Sequence, residues 1–327
     1  MNTLNDTLVT PMRVRAIRLE AEEVRSFELV PAAGTPLPGW SAGAHVEVQL
    51  PGGLARPYSL FNGPEETHCY RIAVKREAAS RGGSASLHDK VALGDTLRVR
   101  APRNLFALDD NATRHILVAG GIGITPILAM FRALVASGAD VSLHYFARSR
   151  EHAAFADFLA AHPASHRVNF HFGLDEMAAR VRLAGVLAER APQTGDALYV
   201  CGPAALMELV VDGAARTGWP AHAVHRESFG GGAGPVATSA GFEVVFQRSG
   251  QRCTVAPGQT ILAAARAAGV PLVTSCEQGV CGACLTTVLE GQPEHRDGYL
   301  SQTERAAGAL ILPCVSGCKG TRLVLDI

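Results

Sequence analysis

The chain has 327 residues, more than one ordinary core holds, so two or three domains are expected. Hydrophobic residues make up 47% and charged residues 18%, the balance of a globular protein rather than a disordered one. Lys plus Arg equals Asp plus Glu at 30 each, evenly along the chain, so no basic stripe exists to track a nucleic-acid backbone.

No apolar run is long enough for a membrane span, and the opening MNTLNDTLVTPMRVR lacks the apolar stretch of a secretory signal. A cytoplasmic location is the expectation. There the eight cysteines stay reduced and read as metal ligands, reactive groups or core filler rather than disulfides.

In chain order, residues 1 to about 105 read as short strands broken by turns. RVRAIRLE, SFELV, AHVEVQL, RPYSLFN, YRIAVKRE and DTLRVRAP alternate or are β-branched, with Pro-Gly and Gly-Gly between them, which predicts an antiparallel barrel. From about 112, strand and helix patterns alternate. HILVAG leads to TPILAMFRALVASG, VSLHYFA to EHAAFADFLAAH, VNFHFG to LAGVLAERA, and ALYVCG to PAALMELVVDGAART, predicting βα units on a parallel sheet. FGGGAGPVATSAG, residues 229–241, has the composition of a linker. A last domain opens with FEVVFQRSGQRCTV, strand-turn-strand, and the helix TILAAARAAG.

Four cysteines carry the clearest chemistry. Cys276 and Cys281 form C-x4-C, Cys284 follows after two more residues, and Cys314 stands downstream. This is the plant-type [2Fe–2S] spacing. Zinc ribbons use two close CxxC-type pairs instead, so the cluster is preferred over zinc. Gly279, Gly282 and Ala283 let the loop wrap tightly with N–H groups toward sulfur. Cys318 is left over as a core or surface thiol, and Cys69 and Cys253 read as small hydrophobes.

HILVAGGIGITPIL is a strand, a glycine turn and a helix. Gly120, Gly121 and Gly123 allow tight turning, Thr125 is the expected N-cap and Pro126 the first helical residue, leaving a helix N-terminus for a diphosphate. Pro126 occupies the place of the last glycine of GxGxxG, so alone the motif equally suits a tight structural turn. A second strand end, Cys201, Gly202 and Pro203, falls at the sheet edge where open α/β sheets bind ligands. Arg148, near a third strand end, suits an NADP phosphate, but Glu151 follows close by and leaves NADH against NADPH open. In the barrel, Arg56, Tyr58 and Ser59 lie on RPYSL. Gly82, Gly83 and Ser84 then form a candidate phosphate turn, with Arg56, Lys75 or Arg81 to neutralise the charge.

The order RPYSL, RGGS, GGIGITP, YVCGP and a terminal CEQGVCGAC…C resembles the phthalate dioxygenase reductase family, and EHRDGYLSQTER is similar to its vanillate demethylase reductase branch. The resemblance spans the chain. It implies a flavin barrel at 1–108, a nicotinamide α/β domain at 109–228, a linker at 229–241 and a β-grasp ferredoxin-like domain at 242–327. It implies Arg56, Pro57, Tyr58 and Ser59 as flavin contacts, with Ser59 donating to the flavin's reactive nitrogen. Val74, Lys75, Gly82, Gly83 and Ser84 would follow the flavin tail and phosphate. Gly120, Gly121, Gly123, Thr125, Arg148, Cys201, Gly202 and Pro203 would serve the nicotinamide, with Thr125 touching both cofactors and Cys201 beside the nicotinamide ring. Phe229 would cover a flavin face. The implied cofactors are FMN, a [2Fe–2S] cluster and NADH, although no residue excludes FAD.

NADH gives electrons in pairs and the cluster takes them singly, so a flavin between them would split the pair. A plant-type cluster near about −400 mV can reduce a Rieske centre downhill. The implied partner is the Rieske oxygenase component of an aromatic dioxygenase or O-demethylase. The alternatives are reduction of a haem monooxygenase or diffusible oxidant, and a redox-sensing binding protein with little turnover.

Overall fold

The computed structural model describes residues 9–51, 53–78, 82–189, 192–229, 241–274, 277, 279, 282–300 and 302–327, those of 302 and 303 by backbone alone. The chain forms two compact units, Met1–Phe229 and Gly230–Ile327.

The first unit opens with β1 (Val9–Ala21), β2 (Val24–Pro31), β3 (Ala44–Gln49), β4 (Ala55–Ser59) and β5 (Tyr70–Lys75). Then come α1 (Gly83–Lys90), β6 (Thr96–Arg100) and β7 (Arg103–Asn104). The strands run in the order β4-β3-β6-β1-β2-β5, with β7 on β3, all antiparallel. A bridge from Leu60, just past β4, to Ile72 of β5 brings the outer strands together, closing the barrel. Apolar side chains at every second position explain why these segments are strands: Met12, Val14, Phe27, Leu29, Val46, Val48, Ile72 and Val74 all join one core. The stretch after β5, read as a loop, contains the helix α1. Its start is set by Gly82, whose φ of 95° only glycine adopts readily.

The same unit continues with β8 (Arg114–Gly120), α2 (Ile124–Ala136), β9 (Asp140–Ala147), α3 (Ala156–Ala161) and β10 (Val168–Phe172). It ends with α4 (Glu176–Ala188), β11 (Asp196–Cys201), α5 (Ala204–Arg216) and β12 (Val224–Glu227). The sheet is parallel throughout, in the order β10-β9-β8-β11-β12. The chain winds one way from β8 through β9 to β10, then returns to the other side for β11 and β12. The switch point therefore lies between β8 and β11. α3 is shorter than EHAAFADFLAAH suggests, because Phe155 leaves helical geometry at φ 63°, its ring tilted by 38° against that of Phe61 of the barrel with centroids 4.6 Å apart. A shared apolar core joins Val24, Phe61, Ala73 and Phe106 of the barrel to Leu117, Ile127, Phe131, Tyr145 and Tyr199.

The second unit holds β13 (Phe242–Phe246), β14 (Gln251–Val255), α6 (Ile261–Ala267), β15 (Thr286–Glu290) and β16 (Pro293–Glu294). It closes with α7 (Gln302–Ala307), β17 (Leu310–Ile311), β18 (Gly317–Cys318) and β19 (Arg322–Leu325). Its main sheet runs β14-β13-β19-β15-β17, with β13 and β19 parallel at the centre, and β16 pairs with β18. α6 packs Ile261, Ala264 and Ala265 into its core, the helix-on-sheet layout of a β-grasp. The predicted linker falls outside the described residues apart from Phe229 and Gly241. No helix among the described residues is long and apolar enough to cross a membrane.

Candidate active site and cluster site

At the carboxyl edge of the parallel sheet, the turns after β8 and β11 flank the switch point. Their glycines are there for packing. A Cβ on Gly123 would lie 2.2 Å from the Cys201 carbonyl oxygen, and one on Gly120 would meet Pro203 at 2.8 Å and Gly202 Cα at 3.3 Å. The two strand ends touch backbone to backbone. Gly121 differs: its φ is 52°, nothing lies within 4 Å of where a Cβ would point, and its carbonyl accepts from Tyr145 Oη at 3.1 Å. Of the three, Gly121 alone borders open space. The predicted cap is corrected here. The N-cap of α2 is Gly123, while Thr125 is a buried first-turn residue whose Oγ1 donates back to the Ile122 carbonyl at 3.2 Å. Pro126 then sits at the third helical position, where its missing N–H is still no loss.

β12 carries a residue that the motif reading missed. Glu227 pairs in register with Cys201, and Ser59 Oγ donates to Glu227 Oε2 at 3.3 Å. Glu227 keeps some surface as a residue, yet burial of its carboxyl pushes the pKa up to about 8, opposed by the Ser59 hydroxyl. Cys201 is fully buried, and burial together with the nearby Glu227 raises its thiol well above the ordinary value. His45 faces Ser59 across β3 and β4, and burial pushes it down to about 4, so a neutral ring backs the serine at pH 7. The sequence signal for Glu227 was a lone acid closing a strand two residues before Phe229. Phe229 follows at the same edge with 37% of its surface exposed.

Along β4, Arg56 and Tyr58 share one face and Pro57 and Ser59 the other. Tyr58 packs partly against the barrel core, and burial raises its phenol well above the usual value. Arg56 runs over the start of α1: a Cβ on Gly83 would lie 3.1 Å from Arg56 Cγ and 3.4 Å from Nε. A guanidinium and the positive end of a helix thus meet at Gly82, Gly83 and Ser84, an arrangement suited to a phosphate. Ser84 Oγ accepts from the Glu77 N–H at 3.1 Å, and Lys75 Nζ pairs with Glu77 at 3.1 Å. The Val74 side chain lies in the barrel core, and its carbonyl meets His88 Nε2 at 2.8 Å. Arg81 lies outside the described residues. Arg148, just past the carboxyl end of β9, is exposed and 3.6 Å from Glu23 of the barrel.

In the second unit, Cys284 and Cys314 are both buried and share an apolar cluster with Leu262, Leu300, Leu312 and Val315. Cys276 and Cys281 lie outside the described residues. Of the loop from Cys276 to Cys284, Glu277, Gly279 and Gly282 all take left-handed backbone, with φ of 55°, 73° and 70°. A Cβ on Gly279 would lie 2.5 Å from Val315 Cγ2, and one on Gly282 would lie 2.4 Å from the Tyr299 ring. Glu277 is pinned by Arg266 of α6 at 2.5 Å. Two buried thiols beside a tightly turned loop with left-handed backbone at Glu277, Gly279 and Gly282 fit an anionic iron–sulfur group held by sulfur and backbone N–H. Cys318 instead packs in the β-grasp core, its sulfur meeting Gly320 N at 3.2 Å. Cys69 is buried, and Cys253 packs partly buried against the β-grasp core.

A closed antiparallel barrel sharing its core with a parallel nucleotide-type sheet, followed by a cysteine-loop β-grasp unit, defines a modular electron-transfer reductase. Residues 244–319 match the 2Fe-2S iron-sulfur cluster binding domain, and residues 95–224 match the N-terminal domain of dimethylamine monooxygenase subunit DmmA-like proteins. Vanillate O-demethylase oxidoreductase of Pseudomonas sp. (strain HR199 / DSM 7063) is 43% identical over 314 residues, 96% of this chain and 98% of the relative. Phthalate dioxygenase reductase, a solved structure described as modular for electron transfer from pyridine nucleotides to [2Fe–2S], superposes with TM-score 0.77 at 39% identity over 98% of both chains. An intact type IV self-sufficient cytochrome P450 monooxygenase matches with TM-score 0.81 at 38% identity, over 98% of this chain but 41% of its own length. The chain belongs to the phthalate dioxygenase reductase family. It is an oxidoreductase of the oxygenase-reductase class, and its C-terminal domain is a [2Fe–2S] domain.

Proposed function

We propose that this chain is the NADH-dependent, FMN-containing reductase of a two-component Rieske oxygenase acting on an aromatic compound. The observation that carries the reading is the Ser59–Glu227 contact at 3.3 Å, which joins the end of the barrel's RPYSL strand to the carboxyl edge of the parallel sheet. Bound FMN would supply a carrier that accepts a hydride and releases electrons singly.

The chain's own residues serve that exchange in three ways. Arg56 with the start of α1 would hold the flavin phosphate, and β4 would run along the edge of the ring, bordering it with Tyr58 on one face and Pro57 and Ser59 on the other, with Phe229 as cover. The turns at Gly121 and at Cys201–Pro203 seat the nicotinamide at the switch point, where buried Cys201 is a neutral thiol. Ser59 Oγ presents a hydroxyl that can bond to the flavin, and the Glu227 carboxyl behind it holds or accepts a proton at Oε2. Cys276, Cys281, Cys284 and Cys314 hold the cluster. NADH is preferred over NADPH by the family resemblance, since the exposed Arg148–Glu23 pair at 3.6 Å is too loose to bear on the choice.

A second acceptor, a haem monooxygenase, is favoured by the likeness to the self-sufficient cytochrome P450. Stopped-flow transfer from the NADH-reduced protein to a purified aromatic-ring Rieske oxygenase and to a P450 haem domain separates the two. The proposal requires faster delivery to the Rieske centre, and preference for the haem overturns it in favour of the second reading.

A further inference from the structure

The segment HRDGYL, residues 295–300, lies beside the cysteine loop and is held by a dense set of hydrogen bonds. The Asp297 side chain is fully shielded from solvent (0% exposed). Its Oδ2 accepts from the Leu300 N–H at 2.8 Å and the Tyr299 N–H at 3.2 Å, and its Oδ1 accepts from Ser316 Oγ at 3.3 Å. Ser316 Oγ also accepts from the Arg296 N–H at 3.2 Å. Arg305 of α7 donates to the Asp297 carbonyl and stands 3.7 Å from Oδ2, while His295 Nδ1 stands 3.7 Å from Oδ1.

These bonds hold a backbone against which Gly279 and Gly282 of the cysteine loop are wedged. The Gly298 N–H donates to the Gly279 carbonyl at 3.0 Å. Gly279 fits between Asp297 Cα, 3.1 Å from where a Cβ would lie, and Val315, the neighbour of Cys314. The Tyr299 ring covers Gly282. Ser316, two residues beyond Cys314, completes the junction. Asp297 stands apart from the apolar core of this unit, which is built from β13, β14, β19 and α6.

We propose that Asp297 is a positioning residue for the cluster: its carboxylate locks residues 295–300 so that they hold Gly279 and Gly282 of the cysteine loop against the turn bearing Cys314. The inference rests on the [2Fe–2S] assignment of this domain. A buried acceptor shared by two backbone N–H groups and a hydroxyl is hard to replace, because each donor would be stranded.

The test compares full-length wild type with Asp297→Asn, Asp297→Ala and Ser316→Ala. Iron and acid-labile sulfide are measured as purified, then the rate at which an iron chelator bleaches the cluster absorbance, and the cluster's midpoint potential. Outer-shell losses at metal sites cost about 10- to 100-fold, so Asp297→Ala should lose its cluster at least about tenfold faster. Asp297→Asn, whose amide oxygen still accepts, should be intermediate. Ser316→Ala, which cuts only the tie to the Cys314 side, should shift in the same direction by less. NADH reduction of the flavin should be unchanged in all three. Wild-type retention in Asp297→Ala, or bleaching rates that track only the thermal melting of the domain, would overturn the proposal. Wild type without iron and sulfide would overturn the cluster assignment with it, so the two failures are distinct.

Discussion

Ser59 and Glu227 are 168 residues apart in the chain, yet the Ser59 hydroxyl donates to the Glu227 carboxyl at 3.3 Å. The folded-state pKa of Glu227, about 8, lies above its ordinary 4.5, so the folded protein binds this proton more tightly than the unfolded chain. Stability from this group is therefore present at low pH and is lost as pH rises through about 8. Glu227→Gln should flatten that part of the thermal-melting profile, with its gain over wild type largest on the alkaline side. Parallel profiles for the two proteins would show that Glu227 is not held this way. In rapid-mixing experiments, Ser59→Ala should slow NADH reduction of the flavin by roughly tenfold or more.

The glycines of the β8 turn should separate by role. Gly123→Ala places a methyl 2.2 Å from the Cys201 carbonyl, so it should destabilise the first unit by about 1–3 kcal/mol, read by denaturant unfolding. Gly121→Ala meets no atom, so its backbone strain of about 1–2 kcal/mol should be accompanied by a raised KM for NADH. Equal KM effects from both substitutions would contradict the division.

Arg56 tests the phosphate seat. Charge-assisted hydrogen bonds contribute about 1.5–3 kcal/mol, so Arg56→Ala should weaken FMN binding by about 10- to 100-fold in a fluorescence titration of the stripped protein. Riboflavin, which lacks the phosphate, should bind wild type and variant alike. If riboflavin affinity falls as far as FMN affinity, Arg56 serves the ring or the barrel instead.

At the cluster loop, Gly282 is tied to Tyr299. An added methyl would lie 2.4 Å from the ring at a φ of 70°, so Gly282→Ala should yield protein poor in iron and sulfide. Adding Tyr299→Ala removes the clash but not the backbone strain, and should restore only part of the iron. Full iron content in Gly282→Ala would contradict the packing seen here.

Much of this was legible in the sequence because it depends on local chemistry. Apolar residues at every second position in MRV and in HVEV mark barrel strands, and the short β-rich runs HILVAG and ALYVCG, each ending at glycine, read as strands buried on both faces. The C-x4-C-x2-C spacing with Gly279 and Gly282 is a backbone requirement written directly into residue types. What escaped was set by tertiary contact. α1 is short and begins at a left-handed glycine, so RGGS reads as a loop or phosphate turn and the helix behind it goes unseen until Arg56 is seen packed over Gly83. Phe155 leaves helical geometry to reach Phe61. Glu227 looks like any strand-end acid until the barrel brings Ser59 to it, and Asp297 matters only once the loop is folded against it.

Low-temperature electron paramagnetic resonance of the purified protein, titrated anaerobically with NADH, tests the central claim most directly. The account predicts the signal of a reduced [2Fe–2S] cluster growing with added NADH, abolished when the flavin is stripped and restored by FMN. NADH oxidation with no cluster signal, or zinc found in place of iron and sulfide, would contradict it.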